Sequence, residues 1–175
     1  MSKREWLGWF CLWGILVALL IHPNEAKARE IVTPIFSDAK YAHLDTVQLL
    51  ATNLYHEARN QSDLANMIIL AVVERRKQLS GRFVDTEYGA TYEGAIFKPH
   101  AFSWTDNPNI GVMGEEEQYE RLYKLTERFL SNKQVYMELA QGADHYVKVG
   151  HVTKWDYSKL EFLFQIDEHL FYRHK

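Results

Sequence analysis

DTVQLLATNLYHEARNQSDLANMIILAVVERRK, residues 45–77, decides the fold. Its apolar residues Val47, Leu50, Ala51, Leu54 and Ala58 recur at steps of three and four, the period of one helix face. Asp45 and Gln48 stand three apart at the start, the spacing of a reciprocal capping pair, so a helix is predicted over about 45–59. Asn60-Gln61-Ser62 interrupts it. A second helix beginning near Asp63 carries the almost unbroken apolar run Met67 to Val73 and ends on Glu74-Arg75-Arg76-Lys77. A helix apolar on nearly every side has to be surrounded, which makes this one the buried centre of the domain.

Outward from this pair, residues 80–110 interleave Gly81, Gly89, Gly94, Pro99 and Pro108 with aromatics and read as a long irregular segment, of the kind that carries function. Glu115, Glu116 and Glu117 suit a helix amino terminus and precede Tyr119, Leu122, Tyr123, Leu125 and Phe129 at helical spacing. Asp144–Val149 and Leu160–Ile166 alternate as strands do, enough for a small antiparallel sheet. The class is α+β, helix-rich, in one domain over 44–175 behind a short tether at 29–43.

Ahead of the tether, Lys3 and Arg4 precede an uncharged apolar run from Trp6 to Ile21. At about 1.5 Å per residue this run falls short of the ~30 Å hydrocarbon core, and Ala26-Lys27-Ala28 offers a small-x-small cleavage pattern, so residues 1–28 read as a signal peptide or signal anchor. The expectation is an exported chain in the periplasm or cell wall, in contact with the inner membrane through residues 6–21 before or instead of cleavage. At 47% hydrophobic and 25% charged, the remainder is globular rather than disordered. A net charge of −3 supplies no electrostatic basis for binding nucleic acid. The single cysteine, Cys11, excludes an internal disulfide or a cysteine-bound metal centre.

Glu57 lies seven positions after Leu50, only about 20° from it around the helix, so a carboxylate emerges from the apolar face. Burial disfavours its charged form and suits it to act as a general acid at neutral pH. His56-Glu57 invites comparison with the zinc-protease motif HExxH, but Asn60 occupies the second histidine position. Ser103 lacks the glycines of a nucleophile elbow and is expected to position a ligand or close a turn. Among the many aromatics, Trp104 and Trp155 are assigned to a sugar-binding groove.

Tyr55-His56-Glu57-Ala58-Arg59, followed by the apolar helix to Arg75, resembles the YGEAR-type signature of the SleB-like, spore-cortex-lytic cell-wall hydrolase family. Gly94-Ala95-Ile96-Phe97-Lys98-Pro99 with Phe102-Ser103-Trp104, then Ala143-Asp144-His145-Tyr146, then Ile166 with His169-Leu170-Phe171-Tyr172 follow in that family's order. The resemblance implies a lysozyme-like or lytic-transglycosylase-like domain acting on peptidoglycan glycan strands through one glutamate, mapped to Glu57, with no metal and no cofactor. Tyr55, Phe102, Ser103, Trp104, His145, Tyr146, His169 and Tyr172, which stand in these motifs, are expected around the substrate together with Trp155. Departures fall at His56 and Asp167, where the family has glycine, and at Asn60, Glu74 and Ala101.

The function expected is cleavage of the MurNAc–GlcNAc bond by a monomeric lytic transglycosylase, in phage lysis or bacterial wall remodelling. A hydrolytic muramidase would require a second carboxylate, for which Asp63, Asp144, Asp167 and Glu168 are the candidates. The remaining alternatives are a zinc-dependent peptide or amide hydrolase and a non-catalytic exported wall-binding protein.

Overall fold

The structure, a computed structural model, describes residues 44–106 and 114–175. The signal segment 1–28, its apolar run 6–21 and the tether 29–43 lie outside the described residues. Among the described residues no helix is long and apolar enough to cross a membrane.

Helix α1 spans Thr46–Ala58 and α2 spans Asp63–Leu79. The α1 start is the reciprocal cap that the sequence suggests. Gln48 N–H donates to Asp45 Oδ1 at 2.9 Å, and Asp45 N–H donates to Gln48 Oε1 at 3.0 Å. Ser62 caps α2 by accepting from Ala65 N–H at 3.2 Å. Every residue of α2 from Ala65 to Glu74 is buried, so it is the central helix. Each fully buried Leu or Ile there contributes roughly 1.5–3 kcal/mol of transfer free energy. Against α2 pack the short helix α3, Tyr92–Ile96, and the amphipathic α4, Glu116–Ser131; α4 also packs on α1 and presents Tyr119, Leu122, Tyr123, Leu125 and Phe129 to the core. A last helix, α5, Lys133–Leu139, has no clear sequence signal because none of its residues is buried.

The segment expected to be irregular is pinned at close range. Asp85 N–H donates to Gly94 O at 2.7 Å, and Gly89 O lies where a Cβ on residue 94 would stand, 1.9 Å away, so only glycine fits at 94.

Strand β1 is His145–Lys148, β2 is Leu160–Ile166 and β3 is His169–His174. All pair antiparallel in the order β1-β3-β2, which makes a helix-rich α+β domain with a small three-stranded sheet. The sequence marks β3 only as a motif, yet as the central strand it receives both neighbours. The β2–β3 hairpin turns at Asp167, whose φ of 49° explains why the resembled family keeps glycine there. An aspartate tolerates this left-handed conformation better than most side chains, and here its carboxylate accepts the Ser62 N–H at 2.8 Å, tying the hairpin tip to the start of α2.

Candidate active site

Glu57 sits in the last turn of α1 and is partly buried, on the side of the helix that faces the sheet. From β1, the Tyr146 hydroxyl donates to Glu57 Oε2 at 3.0 Å. From α2 comes Arg76, 8% exposed, which acts electrostatically on Glu57, Tyr146 and Asp144 together. Burial pushes the Glu57 carboxyl above its ordinary value, and the Tyr146 hydrogen bond and Arg76 charge hold back part of that rise. Among the described residues no second carboxylate acts on Glu57.

Arg76 is the residue that sequence reasoning missed, because it stands inside the basic run that ends α2. Yet it follows Ile69 by seven positions, the same offset that singles out Glu57 from Leu50, and both are legible as polar residues on an apolar stripe. Its Nε donates to Asp144 O at 2.8 Å and its guanidinium lies over the Phe102 ring at 5.3 Å. One buried cation therefore joins the central helix, the sheet entrance and the long segment.

The other expected site residues separate into three groups. Tyr146, His169 and Phe171 share the sheet face toward Glu57, with Tyr146 edge-on to His169 at 5.5 Å. His169 is 4% exposed and packs against the Tyr146 ring. His145, Tyr172 and Trp155 gather on the opposite face, because neighbouring residues of a strand point to opposite sides. There Asp144 accepts from His145 Nδ1 at 2.6 Å, and the ligand atoms of Asp144, His145 and His174 lie within 4.8 Å of one another. Burial pushes the Asp144 carboxyl up, but the His145 bond and the His174 N–H outweigh it and hold the group below its usual range.

The third group corrects the expectation of an aromatic groove. Phe102 is 2% exposed beneath Arg76. Trp104 is also buried, because its indole N–H is satisfied inside the core by Asn53 Oδ1 at 2.9 Å and its ring stacks on His56 at 5.0 Å. Tyr55 is buried too, with its hydroxyl donated to Glu115 across to α4. These rings build the wall behind the acid. Ser103 remains exposed on the turn between them. His56, at the position of a family glycine, is pushed down to about 4 by burial and then by Arg59, so it stands neutral beside Glu57 at physiological pH.

A partly buried carboxyl that accepts from a tyrosine and lies in the field of a buried arginine, on a helix-rich α+β frame, is an arrangement able to give and take a proton. The chain matches the family described as Cell Wall Hydrolase over residues 60–172 and belongs to that family. Membership makes peptidoglycan its substrate class. The matched stretch takes in Arg76, Asp144 and Tyr146 and begins just past Glu57. No curated protein and no solved structure matches the chain.

Removing only the tyrosine hydroxyl isolates its effect on the acid. In Tyr146→Phe the charged form of Glu57 loses a donor, so its pKa rises further and the alkaline limb of the kcat/KM–pH profile moves to higher pH. The lost charge-assisted bond, roughly 1.5–3 kcal/mol, lowers activity about tenfold or more at the optimum. An alkaline limb that stays in place would detach Tyr146 from the acid's titration.

Proposed function

We propose that the chain is a lytic transglycosylase that cuts the MurNAc–GlcNAc bond of peptidoglycan with Glu57 as its one acid–base residue. The observation that carries this reading is a carboxyl whose pKa burial raises, with a tyrosine and an arginine for neighbours and no partner carboxylate among the described residues.

Protonated Glu57 gives its proton to the glycosidic oxygen as the bond to MurNAc C1 breaks and positive charge develops on the ring. The carboxylate left behind is stabilised by the Tyr146 hydroxyl and the Arg76 charge. It then takes the proton of the MurNAc 6-hydroxyl as O6 bonds to C1, closing a 1,6-anhydro ring and restoring the acid. No water is consumed.

The four carboxylates that a hydrolytic route could recruit are engaged elsewhere. Asp63 pairs with Arg121, Asp167 holds the Ser62 N–H, Glu168 pairs with Lys148 at 2.8 Å, and Asp144 is taken up by His145 and the His174 backbone. The apolar run at 6–21 fits this reading as the device that delivers the chain to a substrate beyond the inner membrane.

The product decides the nucleophile. Glycan fragments released from purified sacculi should end in 1,6-anhydroMurNAc, lighter by one water, about 18 Da, than hydrolysed ends, and mass spectrometry of the digest reads this directly. Predominantly reducing MurNAc ends would replace the transglycosylase by a muramidase.

A further inference from the structure

On the sheet face away from Glu57 lies a cleft of about 270 Å³ lined by Arg76, Arg82, Lys98, His145, His174 and Trp155. It is smaller than the roughly 300–1,000 Å³ pockets that enclose drug-sized ligands, so it suits a short branch and not a length of glycan. Its charge is one-sided. Neither Arg82 nor Lys98 has an acidic partner among the described residues. The buried Asp144 offsets one of the three cations, and its oxygens already accept from His145 Nδ1 at 2.6 Å and the His174 N–H at 3.2 Å. Arg82 and Lys98 are left without an acidic partner among the described residues, while His100, also in the lining, meets the Asp106 carboxylate at 3.2 Å.

The walls are built to hold something flat and polar. Trp155 meets the His145 ring edge-on at 5.0 Å, and His145 stacks with His174 at 5.6 Å. His174 Nδ1 is buried without a hydrogen-bond partner. The excess of cations disfavours a metal ion on Asp144, His145 and His174 and favours an anion.

We propose that this cleft is a carboxylate-binding subsite for the stem peptide of peptidoglycan, held by Arg82 and Lys98. The inference rests on the glycan-cleaving reading above. Arg76 lines the cleft and also acts electrostatically on Glu57, so a single side chain links the two. The stem peptide branches from the same MurNAc whose C1 bond would be cut, and its D-glutamate and terminal D-alanine carry free carboxylates. A branch entering the cleft would therefore fix the sugar relative to Glu57, and peptide-bearing strands would be preferred to bare ones.

The test is calorimetric titration of the whole chain with a soluble stem tetrapeptide and with the same peptide amidated at its carboxyls. The free acid should bind about tenfold tighter or more, as expected of one charge-assisted contact. The double variant Arg82→Ala, Lys98→Ala should abolish that difference with an unchanged melting temperature. On sacculi, wild type should cut peptide-bearing glycan faster than amidase-stripped glycan, and the double variant should lose that preference. Equal affinity for the two peptides, an acid preference that survives the double substitution, or binding that appears only with added Zn²⁺ would overturn the proposal. Tight binding of the acid peptide by a chain that leaves sacculi uncut would keep the subsite and remove the glycan-cleaving reading instead.

Discussion

Glu57→Gln should lower peptidoglycan cleavage by about 10²–10⁴-fold, the share that a positioned general acid supplies. The amide keeps the shape of the side chain and can still accept from Tyr146, but it has no transferable proton. Stability should move the other way. Because burial raises the Glu57 pKa in the folded protein, the unfolded chain releases that proton first as pH rises. Wild type therefore loses stability above the ordinary glutamate pKa until pH passes the folded value, whereas the uncharged amide carries no such cost. Melting curves of the variant and wild type should coincide in acid and separate at neutral pH, with the variant higher. An inactive variant that melts earlier at neutral pH would mark Glu57 as structural; an active one would return the acid's role to another residue.

Arg76→Met should be the most destabilising of the substitutions considered. The methionine can still cover Phe102, but Asp144 O loses its donor at 2.8 Å, and the Asp144 carboxylate loses a buried countercharge. Removing one member of a buried charged cluster costs about 3–5 kcal/mol, which urea denaturation measures directly. With the arginine's charge gone, the Glu57 pKa should climb further, and whatever activity survives should extend to higher pH. A loss below about 1 kcal/mol would mean that Arg76 is exposed to water when the protein is in solution.

How far the sequence exposed these features depended on whether they were periodic. Glu57 and the α2 core followed from angles around a helix, and the α1 cap from one three-residue spacing. Arg76 obeys the same arithmetic but is hidden in a run of four charged residues that looks like a solvated helix end. Trp104 was misplaced because an indole is equally suited to a sugar face and to a core; its buried partner, Asn53, is fifty-one residues away in the chain and invisible to local reasoning. The same holds for Tyr55 and Glu115. The departure at Asp167 was visible as a missing glycine, but only the hairpin geometry shows the bond to Ser62 that keeps aspartate there.

Strand β1 is four residues long, yet its second residue serves the acid and its first serves the cationic cleft. Its register is thus a selector with two outputs. Sliding the strand by a single residue against Phe171 and Tyr172 would put His145 or Val147, depending on direction, where Tyr146 meets Glu57, and would turn the tyrosine to the opposite face. The hydrogen bond to Glu57 and the His145 wall of the cleft would be lost together, although no side chain had been removed. The pairing of β1 with β3 is therefore under a stricter requirement than the core alone imposes, since a slipped sheet could still bury apolar surface but could no longer address either partner correctly.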